Sequence, residues 1–254
     1  MIDLLKADVK KIFYLSNNRK YIVAVFLLSI LLGLVFLFTL GVTEGKKLTD
    51  LSSLEVMGVI LLGIDVTAIM LIIFTAGFIA KEFSNGSIHT SLAITPQRQK
   101  FYLAKNLFII LLSLVISLIL LLIIIGIGQL VLSMNNMELV SLVDEGVIFK
   151  LVGALLLAPF YSLLSAVGAF FLRSAAGGIT FSLGVMFFPA LIKLFPSNVS
   201  DTILFVFPEK SLNVITEMGS LSFNGSIISA LLILLSWILI SYFVGLGKFR
   251  KVDF

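Results

Sequence analysis

The sequence contains no cysteine, which excludes disulfide bridges, thiolate metal sites and a cysteine nucleophile. It contains a single histidine, His89, so neither a histidine metal cluster nor a Ser-His-Asp triad is expected. We therefore predict no catalytic residue and no metal site in this chain. Charged residues are also scarce, at 13% of 254 residues. That share is about half the ~25% that is usual in soluble domains.

Hydrophobic residues make up 59% of the chain, too much apolar surface for a soluble globule of this size to bury. A helix needs roughly 20 apolar residues to cross a ~30 Å hydrocarbon layer. On this criterion six segments are predicted to span the membrane: 21–40, 56–80, 107–132, 151–172, 175–191 and 227–246. The fifth is the weakest, because it is short and contains Pro189 near its end. The expected fold is an all-α integral membrane protein, with residues 1–254 forming one transmembrane permease domain.

The distribution of lysine and arginine predicts the orientation of the spans, because basic residues are retained on the cytoplasmic side. One side carries most of them: Lys6, Lys10, Lys11, Arg19, Lys20, Lys81, Arg98, Lys100, Lys105, Arg173, Lys248, Arg250 and Lys251. The other side carries only Lys46, Lys47, Lys150, Lys193 and Lys210. We therefore expect a multi-pass protein of a bacterial cell membrane with both termini cytoplasmic. The bilayer is the expected partner of these residues, since they form no continuous stripe of the kind that binds nucleic acid.

Residues 1–18 are predicted to form an interfacial helix that leads into the first span. Its apolar residues fall within an arc of ~100° on a helical wheel, while the charged residues lie elsewhere on it. The apolar set is Ile2, Leu5, Val9, Ile12 and Phe13, and the charged set is Asp3, Asp8, Lys10 and Lys11. Two interpretations are compatible with this pattern: an anchor near anionic lipid, and a docking element for a partner.

Residues 81–106 form the longest cytoplasmic loop and are too polar to insert into the membrane. Gly86 permits a sharp turn where the chain leaves the second span. Ile88 and Leu92 lie four residues apart, on one face of a helix that Pro96 would end. The pattern predicts a short amphipathic helix over residues 85–94, held below the bilayer.

Residues 192–226 lie on the predicted outer side, between the fifth and sixth spans. They include a short apolar run at 203–207 that cannot cross the membrane. Both a re-entrant hairpin and a cap on the helix ends fit this run. We expect a capping segment with a re-entrant element.

The 81–106 segment also resembles the stretch that follows the second span in ABC-2 type transporter permeases. The family pattern there is similar to E-F-x-x-G-[ST]-[IL], then a Leu, a Pro with a nearby Arg, and A-K at the start of the third span. The matching residues here are Glu82, Phe83, Gly86, Ser87, Ile88, Leu92, Pro96, Arg98, Ala104 and Lys105. Gln97 departs from the pattern, in which an apolar residue or Ser is expected. The layout of the whole chain is similar as well.

The resemblance implies the membrane-spanning subunit of an ABC exporter, which pairs with a second copy or a paralogue. ATP and Mg²⁺ would bind to a separate cytoplasmic ATPase, so this chain is expected to bind no cofactor and to be no enzyme. In the family, the loop after the second span forms a coupling helix that sits in a groove of the ATPase. Carried onto this chain, the coupling helix is 85–94, with Glu82 at its start, His89 within it and Arg98 at its end. The chain also resembles permeases that export antimicrobial or amphipathic peptides, including lantibiotic-immunity permeases and the phenol-soluble modulin exporter.

The sequence supports a division of labour with another chain, because it contains no G-x-x-x-x-G-K-[ST] phosphate-binding loop. Two polar residues within the predicted spans are candidates for a translocation path, Asp65 in the second and Gln129 in the third. An intramembrane carboxylate needs a cavity, a partner or a protein seam. The alternative for Asp65 is a packing role. Two other functions stay open: a proton-coupled secondary transporter, and a non-transporting immunity or scaffold protein.

Overall fold

A computed structural model describes residues 2–43, 48–88, 92, 97–216 and 225–251. In these ranges the regular structure is helical, with nine α-helices and one short 3₁₀ turn. The α-helices are α1 (Ile2–Tyr14), α2 (Ser16–Thr43), α3 (Ser53–Ser84), α4 (Arg98–Met134), α5 (Glu145–Leu172), α6 (Ala175–Ile192), α7 (Ser197–Val206), α8 (Pro208–Thr216) and α9 (Gly225–Arg250). The 3₁₀ turn is Leu48–Asp50.

Six of these helices, α2 to α6 and α9, are long and apolar enough to cross a membrane. This result fits a polytopic membrane protein and confirms the six predicted apolar spans as helices. Two of them are longer than the apolar runs that predicted them. α3 has 32 residues and α4 has 37, which at 1.5 Å per residue gives about 48 and 56 Å. Both therefore project beyond a ~30 Å hydrocarbon layer.

The described helices form a bundle with two distinct ends. At one end α1 packs beside the last turns of α3, the first turns of α4 and the last turns of α9. We call it the basic end, because Lys11, Lys81, Lys105, Lys248 and Arg250 lie there. α7 and α8 follow α6 at the other end, which we call the hairpin end.

Helix α3 is the centre of the bundle and packs against α2, α4, α5 and α6. Small residues permit its closest approach to α2. A Cβ atom on Gly63 would lie 2.5 Å from the backbone oxygen of Ser29, and one on Gly33 would lie 2.8 Å from that of Ile60. Beside this crossing, the Thr67 hydroxyl donates a hydrogen bond of 2.8 Å to Ser29 Oγ. Membrane helices commonly associate in this way, through small residues and a few polar links.

Two prolines lie inside apolar helices without ending them. Pro159 lies in the middle of α5 and lacks the N–H that would bond the Leu155 carbonyl. That carbonyl accepts a hydrogen bond of 3.3 Å from Ser117 Oγ on α4. Pro189, one reason that the fifth predicted span was the weakest, lies in the last turn of α6, and the helix continues to Ile192. Neighbouring helices make such prolines tolerable, because they satisfy the backbone groups that proline frees.

Helices α7 and α8 form a hairpin whose turn, at Phe207, reaches the middle of α9. Trp237 Nε1 donates a hydrogen bond of 2.8 Å to the Val206 carbonyl at this turn. Trp237 follows the first residue of α9 by twelve positions, or about 18 Å of helix. Leu212 and Ile215 of α8 are buried in a cluster with α5 and α6 residues. The hairpin therefore packs into the bundle.

Candidate functional site

The basic end is held together by an apolar cluster that joins α1, α3, α4, α5 and α9. Ile12 from α1, Ile79 from α3 and Phe101 from α4 are buried in it. The Phe101 ring stacks on the ring of Phe249 at a centroid distance of 6.0 Å, which connects the last turn of α9 to the first turn of α4. A polar site is thereby enclosed between the protruding ends of α3 and α4, under α1.

Four charged side chains meet at this site, and we call them the ionic cluster: Asp8, Lys11, Glu82 and Lys105. Lys105 Nζ lies 2.6 Å from Asp8 Oδ1 and 2.7 Å from Glu82 Oε1. Lys11 Nζ lies 2.6 Å from the same Glu82 oxygen and 3.8 Å from Asp8 Oδ1. The ionic cluster contains two cations and two anions, so its formal charge is zero. It connects α1, α3 and α4 at a single point.

The ionic cluster is buried except at one edge. The side chains of Asp8, Glu82 and Lys105 are 2 to 3% exposed, whereas that of Lys11 is 36% exposed. Lys105 Nζ also lies 5.4 Å from the centroid of the Phe78 ring and 5.3 Å from that of Phe101, so aromatic faces add to the stabilisation of this buried cation. Removing one partner of such a pair costs about 3–5 kcal/mol, because a charge is left buried and uncompensated.

Asp8 has the poorest environment in the ionic cluster. Burial raises the pKa of its carboxyl above the ordinary value, against the opposing effect of Lys105. Its second oxygen, Oδ2, is buried without a hydrogen-bond partner among the described residues. Glu82 is better satisfied, since its Oε2 accepts a hydrogen bond of 2.6 Å from the Ser87 hydroxyl. Glu82 therefore makes the larger set of contacts and Asp8 the smaller.

Several residues of the 81–106 segment, which we call the family-like loop because it resembles the ABC-2 permease pattern, surround the ionic cluster. Gly86 adopts a φ of 65°, in the left-handed region, as expected for a sharp turn after α3. Ser87 follows it and binds Glu82 through its hydroxyl. Ile88 is almost fully buried in the apolar cluster, so it supports the turn from inside. The neighbouring residues Ser84 and Asn85 are exposed instead.

Of the remaining residues of the predicted coupling segment, three are described and make contacts within the bundle. Phe83 is half-buried, and its ring lies edge-on to that of Phe170 at 5.9 Å between centroids. Leu92 packs against the apolar cluster. Arg98 donates a hydrogen bond of 2.8 Å to the Arg250 carbonyl, which ties the start of α4 to the end of α9. Two members, His89 and Pro96, lie outside the described residues, as does half of the predicted helix 85–94.

The predicted orientation of the first helix needs a correction. We grouped Asp8 with the charged side of α1, but it is buried against the bundle together with Ile12. Val9 and Phe13, from the predicted apolar face, are exposed instead. The apolar arc of α1 is thus divided between a protein contact and an outward-facing strip, and the pairing of Asp8 with Lys105 decides which residues turn inward.

The two polar residues inside the spans differ in their contacts. Asp65 is half-buried on α3, about 18 Å along the helix from its start. No hydrogen bond or ion pair of Asp65 occurs with another described residue, although its carboxylate lies within electrostatic range of the Tyr161 hydroxyl on α5. Gln129 uses both ends of its amide on Val140: Nε2 donates to the carbonyl at 2.7 Å, and Oε1 accepts from the N–H at 3.3 Å. Gln129 therefore fixes the segment between α4 and α5.

Sequence reasoning missed the roles of Asp8, Lys11 and Lys105. Lys105 appeared only as a match to the family pattern and as one of the basic residues that predict topology. A signal for its burial is present, since it lies between Phe101 and the apolar run that starts at Leu107. An acidic residue at the end of one span and a basic residue at the start of the next favour an ion pair across the loop.

No protein-family model matches this chain, and no curated protein matches it significantly.

Proposed function

We propose that this chain is the membrane-spanning permease subunit of an ABC-2 type exporter. Two such subunits, identical or paralogous, would pair in a bacterial cell membrane with their termini in the cytoplasm. A separate ATPase would bind ATP and Mg²⁺ there. The substrate class we propose is amphipathic or hydrophobic, such as a peptide or an antibiotic-like molecule.

The observation that carries this proposal is the ionic cluster at the family-like loop. Glu82 stands where the loop begins and Lys105 where it ends, and their side chains are joined at 2.7 Å. Through Asp8 the same ammonium group holds α1. A push on the loop by an ATPase would therefore move α1, α3 and α4 together rather than bend the loop alone. Closure of the ATPase on ATP would in this way change the packing of the spans and open a path outward.

The hairpin of α7 and α8 suits the outer part of such a path. We propose that it is re-entrant, because its turn meets α9 near the middle of that helix. Its other anchor is an ion pair of 2.8 Å between Lys193, which directly follows α6, and Glu209, in the first turn of α8. A hairpin held at these two places can act as an outer gate for an apolar substrate.

A second candidate function is proton-coupled secondary transport, and Asp65 is the observation that favours it. A half-buried carboxylate inside a candidate span, without a described ion pair, is the type of group that such transporters protonate. This alternative requires no ATPase. It predicts that Asp65→Asn abolishes transport. In an exporter driven by ATP, the same substitution would at most change which substrates are transported.

The experiment that separates the two functions is co-purification with candidate ATPases from the same organism, beginning with any encoded beside this chain. Charge would be introduced at exposed positions near the loop, as Ser84→Arg with Asn85→Arg, because charge at buried Ile88 would unfold the basic end. The matched control is Asn198→Arg, an exposed position on α7. The proposal expects an ATPase to co-purify with the wild type and the control and to be lost from the double variant. Failure of any ATPase to co-purify with the wild type would contradict it and favour the proton-coupled alternative.

A further inference from the structure

An apolar groove runs along the surface of the bundle between α5, α6 and α9. Its volume is about 560 Å³, which is within the range of ligand-binding sites in proteins. Phe171, Phe181, Val206, Trp237, Ile240 and Val244 line it. Ser236 and Ser241 are the polar residues of its lining. The groove is independent of the ionic cluster and of the proposed coupling to an ATPase.

The groove extends from the basic end to the hairpin turn. Val244 and Leu172 lie towards the basic end, and Val206 and Trp237 lie at the hairpin turn. From Lys248 to Trp237 the distance along α9 is eleven residues, or about 16 Å. This distance is close to half of a ~30 Å hydrocarbon layer. The groove therefore has the depth that a lipid acyl chain of one leaflet occupies.

Two cations stand at the basic end of the groove. Lys248 Nζ lies 5.9 Å from the centroid of the Phe171 ring, which lines the groove. Arg173 directly follows Leu172, another lining residue, and is exposed. Neither cation forms an ion pair with an acidic side chain of the described residues. The residues that line the groove supply no such partner, since none of them is Asp or Glu, and α6 and α9 contain neither.

The backbone at Arg173 adds a second observation. Arg173 forms the turn between α5 and α6 with a φ of 51° and a ψ of 31°, in the left-handed region. A side chain with a Cβ atom costs roughly 1–2 kcal/mol in this conformation, and glycine or asparagine is the ordinary choice. Strain of this kind is typically retained where a side chain has a function. At this position the strained residue carries an exposed cationic side chain and directly follows Leu172, which lines the groove.

We infer that this groove binds one anionic phospholipid, with an acyl chain between α5, α6 and α9 and the headgroup phosphate on Arg173 and Lys248. Basic pockets between membrane helices recognise such headgroups. At about fivefold in affinity for each basic residue near the headgroup, two cations give a preference of ~25-fold over a zwitterionic lipid. An ordinary lipid of the surrounding bilayer would show no such preference.

Trp237 makes this proposal directly measurable, because it is the single tryptophan of the chain and it lines the groove. The purified full chain would be reconstituted in phosphatidylcholine vesicles. Phosphatidylglycerol or phosphatidylcholine, brominated near the chain ends, would then be titrated in as a quencher of Trp237 fluorescence. The expected midpoint for phosphatidylglycerol is about 25-fold lower in mole fraction than that for phosphatidylcholine.

Two variants test the assignment of the headgroup and of the acyl chain. The first variant combines Arg173→Asn with Lys248→Gln, and asparagine is chosen because it tolerates the left-handed backbone. In this variant the midpoints for phosphatidylglycerol and phosphatidylcholine should become equal. Val244→Phe should narrow the groove and reduce quenching by phosphatidylglycerol to the level of phosphatidylcholine. The matched control is Arg19→Asn with Lys20→Gln, two exposed cations at the start of α2, which packs on α3 away from the groove. The control should keep the wild-type preference.

Three results would overturn the proposal. Equal midpoints in the wild type would mean that Trp237 meets only bulk lipid. A preference that survives the loss of both cations would place the headgroup elsewhere. Protection of Trp237 from both lipids would mean that a second protein chain covers the groove. The wild-type comparison decides the first and third of these even if a variant fails to fold.

Discussion

Replacement of Lys105 by methionine is the most informative perturbation of the ionic cluster. The Asp8 and Glu82 oxygens bound by its ammonium group are no more than 5.3 Å apart, because they lie 2.6 and 2.7 Å from the same nitrogen. Without this ammonium group the two buried carboxylates face each other, and the partly exposed Lys11 is the cation of the ionic cluster that remains beside them. At this separation and an effective dielectric constant of 20, their repulsion is about 3 kcal/mol. This value agrees with the ~3–5 kcal/mol typical of breaking a buried pair.

The assay is thermal unfolding of the purified chain in detergent, followed by helix content. At about 2–4 °C per kcal/mol for a chain of this size, the apparent Tm of Lys105→Met should fall by roughly 6 to 20 °C. Lys11→Met should cost only about 1 kcal/mol, because Lys11 is partly exposed and Glu82 keeps Lys105. The matched control is Lys100→Met, an exposed lysine on the same helix, for which no shift is expected.

A second substitution shows whether like-charge repulsion is the cause. Asp8→Asn added to Lys105→Met removes one of the two facing carboxylates, so it should recover part of the lost Tm even though it deletes a further native group. The electrostatic reasoning fails if Lys105→Met shifts the Tm no more than Lys100→Met does. It also fails if Asp8→Asn lowers the Tm of the Lys105→Met background further.

Three further predictions concern other parts of the bundle, and each is checked by the same unfolding assay. Gly63→Ala should lower the Tm markedly, since the new Cβ atom would lie 2.5 Å from a backbone oxygen of α2. The matched control is Gly58→Ala, which should leave the Tm unchanged because its Cβ atom would meet nothing within 4 Å. The raised pKa of Asp8 means that the folded state binds its proton more readily than the unfolded state, so its contribution to stability falls as pH rises above 3.8. As the pH is lowered towards 3.8, the Tm of the wild type should therefore rise relative to that of Asp8→Asn. A difference in Tm between the two proteins that does not change with pH would refute the raised pKa of Asp8. Ser117→Ala should cost about 0.6–1 kcal/mol, because it leaves the Leu155 carbonyl without its donor, and an unchanged Tm would mean that this carbonyl needs no partner.

The extent of each span could be predicted only as far as hydropathy reaches. Apolar runs located all six long helices, but they ended α3 before Ser84 and began α4 after Arg98. A helix continues past the hydrocarbon boundary as long as its residues have a favourable helix propensity. Polar residues such as Lys81 and Lys100 have one, since lysine is a good helix former. The protruding turns that form the candidate site are therefore the part of the helices that a hydropathy criterion omits.

The contacts of the candidate site were beyond prediction for a different reason. Asp8 and Lys105 are 97 residues apart in the chain, and no local pattern specifies that they meet. Helical periodicity placed Asp8 on the polar side of α1, yet pairing with a buried cation made that side face the protein. Glu82 was named as a candidate only because the segment around it resembles a family pattern, and its role in coupling to an ATPase stays a prediction.

The long chain separation within the ionic cluster also imposes an order on biosynthesis. Asp8 is synthesised 97 residues before its partner Lys105, which at 5–20 residues per second is a delay of about 5 to 20 s. During this interval α2 and α3 can enter the membrane while α1 has no ammonium group from α4 to bind. Docking of α1 therefore reports that the first three spans are in place, and a nascent chain whose third span fails to insert would keep α1 undocked and accessible to quality-control proteases.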